Sequence, residues 1–140
     1  MKTPTELQPT YISKLPSGSL VLCDMQHLRG YCILKAEPMV ASLNDLPEQG
    51  RLAFLRDMAH VGDVLTELLQ PIRINYAIFG NSDNYLHAHI APRYASEPEQ
   101  YRRNTPWSYP KEHLDSHQFD PVRDAELIRL IAQKISDLPN

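Results

Sequence analysis

Cysteine, glycine and basic charge are all scarce in this chain, and long apolar runs are missing. The two cysteines among 140 residues, Cys23 and Cys32, sit in apolar stretches and lack the Cys-x-x-Cys spacing of redox or zinc sites. They read as reduced core residues, and a disulfide-stapled scaffold is excluded. Lys and Arg number 14 against 17 Asp and Glu, a formal net charge of -3. With no basic field over the molecule, neither long nucleic acid nor an anionic membrane is the expected partner, and a small substrate is favoured. No run approaches the roughly 20 apolar residues that cross a bilayer. Residues 1–10 carry Pro4 and Pro9 and no apolar stretch of the kind a secretory signal needs. The expectation is a soluble cytoplasmic protein. A hydrophobic content of 42% is enough for one core at this length. A single domain over residues 1–140 is expected, with no internal repeat.

What is present is a succession of short strand signals around one long helix. Residues 20–23, after the turn residues Pro16, Ser17 and Gly18, read as a strand ending at Asp24. Residues 31–34 follow closely enough to pair with it in an antiparallel sense. Over residues 46–70 the period changes to about 3.6, with Leu52, Leu55, Ala59, Gly62, Leu65 and Leu69 on one side and Phe54, Met58, Val61 and Leu68 beside them. Asp45 and Glu48 have the spacing of a capping box around Pro47. The apolar arc is wider than one sheet requires, and Gly62 allows close approach of another backbone, so a homodimer is expected. Residues 72–79 and 85–91 supply two more strands, joined by the turn 80–84. Residues 93–119 are polar, hold Pro98, Pro106 and Pro110 and show no period, which predicts an extended arm. Residues 120–138 form a last helix, opened by Asp120 and Pro121, with Leu127, Ile128, Ile131 and Ile135 on one face. These elements predict an α+β fold with a mainly antiparallel sheet packed on one long helix, and a C-terminal helix added.

The chemistry concentrates in residues 85–93. Alternate side chains of a strand share a face, so Tyr85, His87 and His89 project together while Leu86, Ala88 and Ile90 go to the other side. Two imidazoles on a rigid element, next to a polar turn with Gly80 and Asn81, make a candidate site.

Asn75 and Tyr76, then Phe79, Gly80 and Asn81, then Leu-His-Ala-His-Ile-Ala-Pro-Arg-Tyr over residues 86–94 resemble the motif of the histidine-triad (HIT) superfamily. The resemblance covers about residues 19–109, and Arg102, Arg103, Pro106 and Trp107 resemble the tail of its bacterial diadenosine-polyphosphate-hydrolase-like branch. It departs at one place: the family's first histidine falls on Tyr85. The resemblance implies a HIT-like fold, a homodimer and a nucleotide substrate, with no metal and no cofactor. It makes His87 the nucleophile, and places His89 near the phosphoryl and leaving-group oxygens. Asn81 and Tyr85 fall at phosphate-binding positions and Asp24 at the ribose. A tyrosine can still donate and accept hydrogen bonds at position 85, but it cannot carry imidazolium charge. The implied reaction is hydrolysis of a nucleotidyl phosphoanhydride or phosphoramidate, with diadenosine tetraphosphate favoured, through a nucleotidyl-histidine. His87 would attack through a free lone pair while its other ring nitrogen donates to a backbone carbonyl. Leu22 and Ile33 mark the region of a base pocket.

Other readings of the same residues stand beside these. His87 and His89 also suit a zinc pair if His27, His60, His113 or His117 supplies a third ligand, which would make a metal-dependent hydrolase. Loss of the first histidine also suits a nucleotide-binding module without turnover. Asn81 suits a left-handed turn position, and Asp24 a plain strand end. Arg102 and Arg103 read as solubilising charges or as contacts to a leaving polyphosphate. Trp107 reads as a packing anchor for the arm, and Tyr85 as a core residue turned inward by a bulge.

Overall fold

The computed structural model describes residues 1–139; Asn140, the last residue of the expected domain range, lies outside them. Five strands form one antiparallel sheet: β1 (Tyr11–Leu15), β2 (Gly18–Leu22), β3 (Cys32–Ala36), β4 (Arg73–Ala77) and β5 (His87–Arg93). Their spatial order is β1-β2-β3-β5-β4, which places β5 inside the sheet and β4 at its edge. The fold is α+β, as its alternating apolar pattern predicts. No helix among the described residues is long and apolar enough to cross a membrane.

Strand β1 is absent from the sequence-based expectation. Its two core side chains, Ile12 and Leu15, are three residues apart because the register slips between Tyr11 and Ser13. A slip of one residue breaks the period of two that marks a strand. The turn at Pro16 and Ser17 is tied to the long helix α1 (Glu48–Leu69). Both the amide and the hydroxyl of Ser17 donate to buried Asp57, at 2.8 and 2.6 Å.

Helix α1 lies on the inner face of the sheet. Phe54, Val61, Val64 and Leu65 pack there against Leu34, Leu86, Ala88 and Ile90. The capping box does not form: the N-cap is Pro47 without a side-chain hydrogen bond, and Asp45 instead accepts from Ser42. Gly62 does allow a close approach, but of a side chain rather than a second backbone. A Cβ built there would stand 1.9 Å from the hydroxyl of Tyr76 on β4. The final helix α4 starts later than residue 120, at Ala125, and runs to Ser136. Before it, Asp120 accepts from the amides of Val122 and Arg123 and closes a turn. Leu127, Ile131 and Ile135, four residues apart, put one helical face against β1 and α1.

The stretch expected to be an extended arm folds back over the outer face of the sheet with two short helices, α2 (Glu99–Arg102) and α3 (Lys111–Asp115). Elements of four and five residues are too short to show a period. What holds them is Arg93 at the end of β5, only 3% exposed. Its guanidinium pairs with Glu97 at 2.9 Å and donates to Asn75 and to the carbonyls of Tyr101 and Asn104. Glu97 also accepts from the Tyr109 hydroxyl and the Tyr94 amide. These bonds hold the Glu97 carboxyl below its ordinary range, although burial opposes them. Removing one member of a buried ion pair strands the other charge. Glu97→Ala is therefore expected to lower unfolding stability by about 3–5 kcal/mol in urea titrations, and Tyr109→Phe by about 1 kcal/mol. Equal midpoints for Glu97→Ala and the parent protein would contradict this assignment.

Candidate active site

Strand β5 carries the site because of its position in the sheet. Leu86, Ala88 and Ile90 are buried against α1, so the alternating side chains His87 and His89 stand on the outer face, their ring centroids 5.1 Å apart. With Tyr85 they line a cleft of about 420 Å³, whose rim includes Gly80, Asn81, Ser82 and Asp83 and whose far walls are Phe79 and Trp107. That volume lies within the 300–1,000 Å³ range of small-molecule sites, at about the size of a nucleotide.

His87 is 7% exposed, and its Nδ1 lies 2.8 Å from the backbone carbonyl of Tyr85. A carbonyl only accepts, so Nδ1 carries the hydrogen and Nε2 keeps its lone pair. This bond uses the main chain of position 85, which any residue supplies. The side chain of Tyr85 is half-buried against the His87 ring, at a centroid distance of 4.7 Å, and no bulge turns it into the core. Burial and the charge of Asp83 push its hydroxyl above the ordinary tyrosine range, so it is a neutral phenol.

His89 is held from below. Its Nδ1 lies 2.8 Å from the hydroxyl of Tyr31, a side chain with no solvent exposure, and the Trp107 ring stands edge-on to it at 5.3 Å. Burial, with a smaller contribution from His87, holds the His89 imidazole below the ordinary histidine range.

Asn81 lines the histidine cleft, and the left-handed backbone of that turn belongs to Gly80, with φ 78°, rather than to Asn81. Asp24 is exposed and does not line the cleft. It lies in an adjoining hollow of about 480 Å³ with Leu22 and Lys35, which shares Ile33, Asp83 and Tyr85 with the first. The structure thus brings His87, His89, Asn81 and Tyr85 together and sets Asp24 next door. Arg102 and Arg103 lie outside both hollows; Arg102 reaches backbone carbonyls of the arm, and Arg103 pairs with Glu99 at the surface. Trp107 is at once a packing residue of the outer-face cluster and a wall of the cleft.

The residues that a zinc reading would need as a third ligand do not join the pair. His27 is held by the Pro106 carbonyl, His113 and His117 stack on each other beside Tyr109, and His60 faces a hollow near β1. Among the described residues no three His, Cys, Asp or Glu side chains converge on an ion position.

Three site residues escape a reading confined to the histidine motif: Tyr31, Lys35 and Trp107. The register pairs Ile33 with His89 and Lys35 with His87. The alternation Tyr31, Ile33, Lys35 in the sequence marks them as one face, so the signal was present for these two. The sequence marks Trp107 as a packing anchor of the arm, and its second place as a cleft wall depends on how the arm folds.

Two half-buried imidazoles, His27 and His89, have values lowered chiefly by burial. Folded protein therefore binds these protons less readily than unfolded chain. Their stabilising contribution is complete above about pH 6.5, the unperturbed histidine value, and is lost as pH falls through that value toward the folded ones. Urea stability is expected to fall between pH 7 and 5, with a shallower slope in His27→Asn. An unchanged slope in that variant would contradict the role given to burial.

No protein-family model matches this sequence, and neither does any curated protein. Solved structures do. A histidine triad protein from Bradyrhizobium japonicum superposes with a TM-score of 0.70 at 20% identity, covering 96% of this chain and 97% of its own. One from Marinobacter aquaeolei gives 0.76 at 16% identity, with coverage of 92% and 90%. A hypothetical histidine triad nucleotide-binding protein from Sulfolobus tokodaii gives 0.64 at 15% identity, with coverage of 95% and 87%. Agreement over nearly the whole length of each chain, at identities this low, is agreement of backbone architecture: this protein has the fold of the histidine-triad proteins.

Proposed function

We propose that this protein is a nucleotide phosphohydrolase that cleaves a nucleotidyl phosphoanhydride or phosphoramidate, with dinucleoside polyphosphates such as diadenosine tetraphosphate as the favoured class. The observation that carries this reading is the His87 ring, whose Nδ1 is committed to the Tyr85 carbonyl and whose Nε2 is free at a nucleotide-sized cleft. The nucleotide-binding Sulfolobus protein of the same fold supports the substrate class.

In the first step the Nε2 lone pair of His87 forms a bond to the α-phosphorus, and the bond from phosphorus to the leaving group breaks with its electron pair. In the second, water adds to phosphorus and gives up a proton to the solvent, the P–N bond breaks with its electron pair returning to Nε2, and the nucleoside monophosphate leaves with neutral His87 restored. Imidazole suits this because its neutral form is abundant near pH 7. His89 and Asn81 serve as donors to phosphoryl oxygens, and the Tyr85 hydroxyl is a third polar group at the same rim. Asp24 is assigned to the ribose, its adjoining hollow offering Ile33 to the base, whereas the Leu22 side chain is buried in the core on the α1 face and is not available to it. Lys35, across the register from His87, adds a cation near the phosphates. None of these roles calls for a metal or a cofactor.

The reading includes a homodimer. Leu52, Ile72, Tyr76 and Phe79 are exposed apolar side chains on α1, along the β4 edge and beyond it, and β4 leaves one side of its backbone unpaired. The alternative of a binding module without turnover rests on Tyr85, which supplies the carbonyl to His87 but not the third imidazole of the triad.

Incubation with diadenosine tetraphosphate, followed by chromatography, separates these readings. Release of mononucleotides is expected, reduced on the order of 10⁴-fold or more in His87→Ala and about 10²–10³-fold in His89→Ala. Trp107 is the single tryptophan and a cleft wall, so its fluorescence reports occupancy directly. Quenching by AMP without turnover of any anhydride or phosphoramidate would identify a binding module instead.

A further inference from the structure

The hydroxyl of Tyr31 is buried beneath the site, and a buried O–H needs an acceptor. Among the described residues its hydrogen-bond partner is Nδ1 of His89, at 2.8 Å. Trp107, whose indole N–H can only donate, approaches the phenolic oxygen and opposes the rise of its pKa. The Cys23 thiol also faces the phenolic oxygen, but burial keeps that thiol protonated and its sulfur is a weak acceptor, so the phenol's own proton is directed to the stronger acceptor, Nδ1 of His89. If Nδ1 carried a hydrogen, two donors would face each other and the Tyr31 proton would be stranded. Nδ1 is thus an acceptor, and neutral His89 carries its hydrogen on Nε2. Among the described residues that nitrogen has no hydrogen-bond partner, and its ring lines the cleft.

We infer that Tyr31 is a positioning residue that holds His89 as a neutral Nε2–H donor, which limits efficient turnover to leaving groups that depart as stable anions, phosphoanhydrides before phosphoramidates. The inference deepens the hydrolase reading and rests on it. When His87 attacks an anhydride, the P–O bond breaks and the polyphosphate keeps the electron pair. A hydrogen bond from His89 Nε2–H is enough, and no proton has to be transferred. When the leaving atom is nitrogen, the amine must gain a proton as the P–N bond breaks. His89 could give up its Nε2 hydrogen only by drawing the Tyr31 proton onto Nδ1, leaving a buried phenolate. Burial pushes the Tyr31 hydroxyl far above the ordinary tyrosine range, which closes that route.

Two measurements test this. In ¹⁵N-histidine NMR of the intact protein at pH 8, His89 is expected to show a protonated Nε2 and a hydrogen-bonded, unprotonated Nδ1. A proton on Nδ1 overturns the inference, whether or not the protein hydrolyses nucleotides. In kinetics, diadenosine tetraphosphate is expected to have a kcat/KM at least about 10-fold above that of adenosine 5′-phosphoramidate. Tyr31→Phe should lower kcat on the anhydride about 10-fold, yet spare an adenylate ester with a p-nitrophenyl leaving group, whose departure needs no donor. Equal losses on both substrates would mean a merely structural role, and faster P–N cleavage by the parent protein would overturn the specificity. The wild-type tautomer and substrate ratio stand even if Tyr31→Phe fails to fold. Absence of all turnover would remove the hydrolase reading and the leaving-group preference, while the NMR result would still decide the tautomer.

Discussion

The two-sidedness of β5 is the constraint on which the rest of this structure depends. The strand lies inside the sheet, and its even-numbered neighbours Leu86, Ala88 and Ile90 are buried on α1. A side-chain period of two then leaves His87, His89, Ala91 and Arg93 no choice but the outer face. One seven-residue strand thus presents imidazoles at one end and a guanidinium at the other. Arg93 anchors the returning arm through Glu97, and the arm brings Trp107 to the wall of the cleft where the imidazoles stand. Core packing, arm attachment and site geometry are consequences of one register, and a slip of one residue would exchange all three.

Tyrosine at position 85 is compatible with this arrangement because of which atoms are used. The bond that sets the tautomer of His87 comes from the carbonyl of residue 85, so the nucleophile keeps its orientation when the side chain changes. What changes is the rim of the cleft, where a neutral phenol stands in place of an imidazole. The second imidazole draws its orientation from a separate source, the buried hydroxyl of Tyr31 on the same face, just before the neighbouring strand β3. Each ring is therefore held through Nδ1 by a group of low mobility, and each leaves Nε2 at the cavity.

Much of this was legible in the sequence wherever a regular period ran long enough. The 22 residues of α1 repeat their apolar positions for six turns, and β5 alternates cleanly, so the long helix, the shared face of Tyr85, His87 and His89, and the α+β class could all be read. Strand β1 could not, since its register slip puts Ile12 and Leu15 at odd spacing. The arm could not, because α2 and α3 are shorter than two turns and their stability comes from long-range bonds to Arg93 rather than from propensity. Local motifs misled where tertiary contacts outweighed them: Asp45 turns to Ser42 instead of capping α1, and Gly62 makes room for Tyr76 rather than for another backbone. The separation of Asp24 from the histidine cleft depends on loop placement that no short-range pattern encodes.

The central claim is that Nε2 of His87 forms a bond to phosphorus during turnover. Rapid mixing of the protein with excess diadenosine tetraphosphate, quenching in alkaline denaturant and mass spectrometry of the digested chain tests it most directly. The account predicts a peptide heavier by one nucleotidyl group, with the modification on His87 and absent from His87→Ala. Steady hydrolysis with no such adduct, or an adduct placed on another residue, would contradict it.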